Sequence, residues 1–587
     1  MKVAICNSVG IDSDGYAMIH SPSRWTNSTK DLNIFTYYPW ELAYCSSILK
    51  RDTDHEVKFY DGCLDKLDHH AFIEKVSDFS PDYLVMDCAT RTINADSRFA
   101  KELKKRFGTK FIICGPHATT FPKEVSEYAD YVVLREYELT VLEILQGKNP
   151  TDILGLYPNA LRMPLDVNKL PLPEDDDVSR LSYGIPGEPS SEYLEIQAYA
   201  SRGCPLSCSF CVCGNISYAH PNWRSRDPQS VVYELQTLRE KYPQLEGIFF
   251  DEEVHNIKRS FNISLAKAIR SAGLDHLKYE AMCEYASLDE EALEEMRAAG
   301  YYKIRFGIET GSDKVAEKMT LGKKHDLNKL RTMVKFGKSL GMLFYGTISI
   351  GGLGSSQEED QKTVDLVYEM ASQGWLDEIQ VSINTPQPGT DFYNSCVDES
   401  LLTPSTKWEG FDGNGQVVVH YPHYPAEEIQ TNFNKALTAF DMGKKQVQSK
   451  AFSNNAKSSF NIIPDGSRIL VLRNVRNWMI RLILENLNTK AQVDLLGQDV
   501  SVKDMEDMDG LNKVYSYGTG FFSAKSVSTD LIQKLENEHY DFILVPVANN
   551  HLQGYQNVLD VAQMILPDEI LYIYPEGHLQ PASSVTI

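Results

Sequence analysis

From residue 1 to about 148, short apolar runs rich in β-branched and aromatic residues alternate with helical patterns. VAIC is followed by a helix near Leu42 to Lys50, then by EVKFY, DYLVMD, KFIIC and YVVL, each with a helical stretch after it. This alternation predicts a parallel sheet covered on both faces, one doubly wound α/β domain. Between 149 and 192 the helical period disappears in proline- and acid-rich sequence (LPLPEDDD, YGIPGEPSSE), the composition of a linker. From 193 to 400 six more strand–helix units follow, with strands near LEIQAYAS, EGIFF, YEAMCEY, KIRFGIE, LFYGTISI and EIQVSI. Six units without a reversal predict a (β/α)6 partial barrel with its chemistry at the carboxyl ends of the strands. A polar helical or linker segment (401–460) leads to a small C-terminal α/β domain (461–587), which opens at RILVLRN and closes near EILYIYPEG.

Bulk properties add exclusions. At 587 residues several domains are expected, and 42% hydrophobic and 24% charged residues are globular values. The net charge of −23 is spread along the chain and leaves no basic face for a phosphate backbone, so a nucleic-acid partner is not expected. No window approaches the roughly 18 uninterrupted apolar residues of a membrane span. The opening MKVAICNSVG is too short an apolar run for a signal peptide. Both readings point to the cytoplasm and away from membranes.

The eleven cysteines lie mostly alone inside apolar runs, as small buried hydrophobes do in cytosolic chains. Four do not: Cys204, Cys208, Cys211 and Cys213 fall within ten residues, directly after a predicted strand. The first three form C-x3-C-x2-C. Thiolates are ligands that iron–sulfur clusters and zinc select, and three of them on a four-iron cube leave one iron open. With Cys213 included, a closed four-thiolate structural site is the alternative.

C-x3-C-x2-C with an aromatic, Phe210, before its last cysteine resembles the signature of the radical S-adenosylmethionine (SAM) enzymes. The resemblance implies a [4Fe-4S] cluster on Cys204, Cys208 and Cys211, whose open iron binds SAM and cleaves it to a 5'-deoxyadenosyl radical. FFDEEV, with Asp251, Glu252 and Glu253, resembles the segment that receives the SAM amino group. GIETGS resembles the fourth-strand turn, with Glu309 toward the methionyl or ribose end, and GTISIGG, with Ser349 and Gly351, the segment beside the adenosine. TPQPGT, ending at Thr390, resembles the loop that closes the barrel.

In the first domain, YPWELAYCSSILKR, EVKFYDG, GPHATTFPKEV and YVVLREYELT resemble the cobalamin-binding domain attached to many radical SAM enzymes, including the anaerobic magnesium-protoporphyrin ester cyclase type and the class B methyltransferases. The resemblance implies cobalamin on the carboxyl edge of the sheet, near Thr90, Arg91 and Thr92 after the third strand and Gly115 and His117 after the fourth. His117 reads equally as a hydrogen-bonded loop residue. No D-x-H-x-x-G is present: Asp68 and His70 have the spacing, but Ile73 stands at the glycine position. Glu136 and Glu138 flank Tyr137, where relatives carry glycine. The last domain resembles the N-terminal half of heptosyltransferase-type enzymes. The family implies methylation of an unactivated carbon of a small-molecule or sugar-linked substrate, with electrons from a flavodoxin or ferredoxin. Cobalamin-assisted cyclisation or rearrangement, and a non-catalytic corrinoid or metal-binding protein, are the alternatives. No catalytic residue beyond the cofactor ligands is assigned.

Overall fold

The computed structural model describes the chain except residues 13–14, 22–24, 30–35, 185–192, 219–221, 322–324, 404–405, 413–415, 488–489, 503–504, 506–507, 519–521, 549–551, 553–554 and 585–587. It forms two compact units, Met1–Met370 with Trp375–Phe440, and Ala371–Gly374 with Asp441–Ile587.

The first unit contains two sheets. β1 (Lys2–Cys6) is followed by a hairpin, β2 (Ala17–Ser21) and β3 (Trp25–Thr29), which the apolar pattern did not announce. β4 (Glu56–Tyr60), β5 (Tyr83–Asp87), β6 (Lys110–Cys114) and β7 (Tyr131–Val132) complete a parallel sheet in the order β4-β1-β5-β6-β7. Leaving the hairpin aside, this is the doubly wound 2-1-3-4-5 arrangement, whose ligands bind where the strand order reverses, outside the carboxyl ends of β1 and β5. Val3, Ile5, Val85 and Ile112 pack on one face, and Ala4, Leu84, Phe111 and Ile113 on the other. These near-continuous apolar strands are what two covered faces require.

The second sheet comprises β8 (Glu195–Ala198), β11 (Gly247–Phe250), β12 (Lys278–Cys283), β13 (Tyr301–Glu309), β14 (Leu343–Ile350) and β15 (Glu378–Ile383), all parallel and in sequential order, a (β/α)6 half-barrel. Two short antiparallel strands, β9 (Ser201–Arg202) and β10 (Arg224–Ser225), frame the loop between β8 and β11. The helix expected at Asp289–Ala299 spans Glu290–Ala298, with Asp289 as its N-cap accepting from Ala292 N.

The described part of the expected linker is a pinned strap. Glu174 bonds Ser46 (2.7 Å) and Lys50 (2.6 Å), Tyr183 bonds Asp61 (2.7 Å), and buried Arg180 pairs with Glu234 (2.7 Å) of the helix Pro228–Lys241. Residues 185–192 of that stretch lie outside the described residues.

In the second unit β16 (Arg468–Leu472), β17 (Gln492–Gly497), β18 (Lys513–Ser516), β19 (Phe542–Pro546) and β20 (Glu569–Ile573) are parallel, with β21 (Leu579–Pro581) antiparallel at the edge. Their order, β18-β17-β16-β19-β20-β21, is the doubly wound 3-2-1-4-5-6 arrangement. The polar stretch ahead of it contains a 34-residue helix, Ala426–Ser459, assigned to the first unit up to Phe440 and to the second from Asp441. No helix among the described residues is long and apolar enough to cross a membrane.

Candidate functional site

A parallel sheet is normally apolar on both faces. In the half-barrel one face is apolar and the other, alternating with period two, is polar. Arg305 and Glu309 of β13, Thr347 and Ser349 of β14, and Gln380 and Ser382 of β15 line a cavity of about 320 Å³ at the carboxyl end. Its floor is a buried ionic network. Arg305 pairs with Glu280 (2.5 Å) and lies between the rings of Phe249 (4.3 Å) and Tyr345 (4.8 Å). Lys303, wholly buried, reaches Glu280 (3.3 Å) and Glu378 (2.8 Å). These cations hold the Glu280 carboxyl below its ordinary range despite burial, whereas burial and the adjacent Glu280 charge drive Glu195 upward.

The cysteine loop lies across the mouth. Cys204, Cys211, Cys213 and Phe210 line the cavity. Cys208 stands aside, its thiol donating to the Leu321 carbonyl among the side chains of Val315, Met319 and Leu321, which Phe210 also touches. Asn215, absent from the sequence reading, clamps the turn by donating to the carbonyls of Cys208 (3.0 Å) and Cys211 (2.7 Å). Burial and the nearby Cys211 push the Cys204 thiol up to about 12; a hydrogen bond from Cys213 lowers Cys211. Among the described residues no three ligating side chains converge on one point. The donor chemistry nevertheless fits an iron–sulfur cluster: three soft sulfurs stand on one short loop, two already at the cavity, and ligation by Cys208 exchanges its bond to Leu321 for one to iron.

The acidic triplet after β11 divides. Asp251 and Glu253 line the cavity; Glu253 accepts from Gly203 N (3.1 Å) and Tyr218 (3.0 Å). Glu252 is turned away and fully buried, bonded to His255 (2.7 Å), which in turn bonds Tyr301 (2.9 Å), and to Ser201 (3.3 Å). Glu309 reaches the cavity through a register shift against β14 and a left-handed backbone, φ 65°. Ser349 lines the wall. Gly351 does not: its amide donates to Asp360 (2.9 Å), its φ is 79°, and a Cβ there would press on Ile429 (2.9 Å).

On the first sheet, a second cavity of about 360 Å³ opens at the order reversal, between the loop after β1 (Ser8, Val9, Asp12) and the loop after β5 (Arg91, Thr92). Arg91 reaches Ser28 of the hairpin (2.5 Å). Thr90 and His117 bond each other (3.1 Å), with His117 buried against Phe121 and Trp408. Gly115, φ 96°, lies where a Cβ would overlap Asp87 Oδ1. On this same edge Asn7 Oδ1 and His117 Nε2 are buried without hydrogen-bond partners, spare capacity that suits a ligand rich in amides. Thr406–Asp412, after the barrel, forms the far wall, and Asp412 lines both this cavity and the barrel cavity.

Comparison with known proteins agrees with this architecture. Residues 199–367 match the radical SAM superfamily and residues 35–145 the B12 binding domain. An uncharacterized methyltransferase of Pyrococcus horikoshii is 27% identical over 71% of this chain and 90% of its own. The anaerobic magnesium-protoporphyrin IX monomethyl ester cyclase of Cereibacter sphaeroides is 25% identical over 63% of this chain and 62% of its own. Among solved structures, the radical SAM methyltransferase TsrM of Kitasatospora setae, with cobalamin and a [4Fe-4S] cluster bound, superposes with a TM-score of 0.55 at 14% identity, covering 75% of this chain and 88% of that one. The chain therefore carries a radical SAM domain with a B12 binding domain ahead of it, and the cofactors these domains imply are a [4Fe-4S] cluster, SAM and cobalamin.

Proposed function

We propose that this enzyme transfers a methyl group to an unactivated carbon of a polar small molecule. The observation that carries the reading is Asp412, which lines both the barrel cavity and the cavity at the strand-order reversal. A substrate carbon has to meet a radical from one cofactor and a methyl group from the other, so the two cavities must adjoin. Together the cofactors supply a 5'-deoxyadenosyl radical and a cobalt-borne methyl group.

The side chains do the positioning. Cys204, Cys208 and Cys211 hold the cluster at the mouth. Asp251 and Glu253 offer acceptors to the SAM ammonium, Glu309 to its methionyl or ribose end, and Ser349 stands beside the adenosine. Glu252 acts from behind: its bonds to His255 and Ser201 fix the turn that aims its two neighbours. Apart from the charged Asp251, Glu253, Arg305, Glu309 and Asp412, the hydroxyls of Thr347 and Ser382 and the amide of Gln380 give β14 and β15 a polar, uncharged stretch matched to a hydroxylated substrate. A flavodoxin- or ferredoxin-type donor supplies electrons. That relatives carry the name methyltransferase supports the reading.

The test is SAM labelled with deuterium in its methyl group, given with a pool of candidate small molecules to the anaerobically reconstituted enzyme. Methylation carries the label into a product alongside 5'-deoxyadenosine. 5'-Deoxyadenosine with an altered, unlabelled product would establish cyclisation or rearrangement instead.

A further inference from the structure

The cluster loop and the B12 binding domain meet at a narrow gap of about 20 Å³, lined by residues that include Glu41, Asp87, Arg135 and Glu138 on one side and Arg202 and Tyr218 on the other. Arg202 is two residues ahead of Cys204 and 1% exposed; Glu138 is 0% and Asp87 3%. The guanidinium lies over the rings of Trp40 (4.5 Å) and Tyr44 (5.5 Å), and its Nη1 donates to Glu138 Oε1 (2.6 Å) and Glu136 Oε1 (3.2 Å). The remaining capacity is unmet on both sides. Nε and Nη2 of Arg202 have no acceptor, and Oε2 of Glu138 and Oδ1 of Asp87 have no donor. Buried polar atoms rarely stay unsatisfied, and here leftover donors face leftover acceptors.

That combination selects the occupant. The carboxylates of Glu41, Asp87, Glu136 and Glu138 repel an anion, and a cation offers no acceptor to the unmet donors of Arg202. A neutral group that both accepts and donates suits all of them, and a primary amide does so in one plane. The corrin periphery carries primary amides, and the gap lies on the same carboxyl edge of the sheet as the reversal cavity. We propose that Arg202 is a cobalamin contact, donating to the oxygen of a peripheral corrin amide whose nitrogen donates to Glu138. The assignment rests on cobalamin being this chain's cofactor. It makes the corrin a bridge between domains: Arg202 is joined to Cys204 through Gly203 alone, whose amide is itself held by Glu253 (3.1 Å).

The experiment uses the full-length protein, reconstituted with iron and sulfide and titrated with hydroxocobalamin by absorbance, beside Arg202→Lys and Glu138→Gln. The Kd rises about tenfold or more in both variants, the loss expected for a hydrogen bond to a charged group. Iron content of Glu138→Gln stays at the wild-type level, and hydroxocobalamin slows amide exchange across 201–218 in wild type only. An unchanged Kd for Glu138→Gln, whether or not Arg202→Lys folds, overturns the contact and leaves the gap to a water molecule. Failure of the wild type to bind hydroxocobalamin would instead remove the cofactor itself, a result distinguishable from the first.

Discussion

Replacing Lys303 by methionine tests the ionic floor of the barrel. The side chain is wholly buried between Glu280, also wholly buried, and Glu378, whose side chain is 25% exposed. Methionine preserves most of the volume, so the effect isolates charge. Removing one partner of a buried pair costs about 3–5 kcal/mol, because the carboxylate left behind has been desolvated without compensation. Arg305 (2.5 Å) still serves Glu280, and Glu378 retains some water, which places the loss near the lower bound, about 3 kcal/mol. Glu280 is depressed below its ordinary 4.5 in the native protein, so its contribution is present above that pH and lost as pH falls through the lower native value. The Lys303→Met penalty is therefore largest at neutral pH and shrinks as pH falls from the variant's higher Glu280 value toward the depressed native one, below which the carboxyl is protonated in both proteins. Amide exchange in β12, β13 and β14, measured at pH 7 and extrapolated from urea series at pH 4 to 7, reads it locally without requiring two-state unfolding of the whole chain. A penalty under 1 kcal/mol, or one that stays constant with pH, would refute the reasoning.

Three further outcomes follow from the geometry. Cys213→Ala retains iron and sulfide whereas Cys204→Ala loses them; equal loss in both would restore the closed four-thiolate reading, and iron analysis with the cluster absorbance decides. Burial lowers His117 to about 4 from 6.5, so the neutral ring contributes stability that is present above pH 6.5 and lost toward pH 4, about 3 kcal/mol in all. The stability gap between wild type and His117→Gln, read by thermal melts across that range, narrows by this amount. Gly115→Ala meets both a left-handed φ and Asp87 Oδ1, so cobalamin retention on gel filtration falls sharply even where the circular dichroism spectrum is kept.

The architecture was legible because its signals are local. Apolar runs fix the strands, and cysteines crowded on one loop narrow their chemistry to thiolate ligation of a metal or cluster. The site was less so. Asp251, Glu252 and Glu253 are consecutive and acidic; which two face the cavity depends on His255 and on Tyr301, a strand away. Arg305 reads in sequence as an ordinary charge within an alternating strand, and only closure of the sheet turns it inward above Glu280. Asp412 lies 30 positions beyond Ser382 in the barrel cavity and 320 beyond Thr92 in the other, and carries no motif. Gly351 was expected beside the adenosine from the resemblance of GTISIGG; it does not line the cavity, and its φ and the closeness of Ile429 call for glycine there. The loop after β1 escaped notice because its role comes from the order of strands, which composition does not encode.

Glu309 carries a cost that glycine would not. A side-chain-bearing residue at φ 65° is strained by roughly 1 kcal/mol or more, and the position sits in a strand register that has slipped to accommodate it. Mutational drift that acted on folding alone would relax this site toward glycine. The carboxylate is thus held there against the thermodynamic gradient, and an engineer who screened only for heat resistance would discard it first. A more stable barrel obtained that way would be a poorer enzyme, and the position marks where robustness and activity in this chain part company.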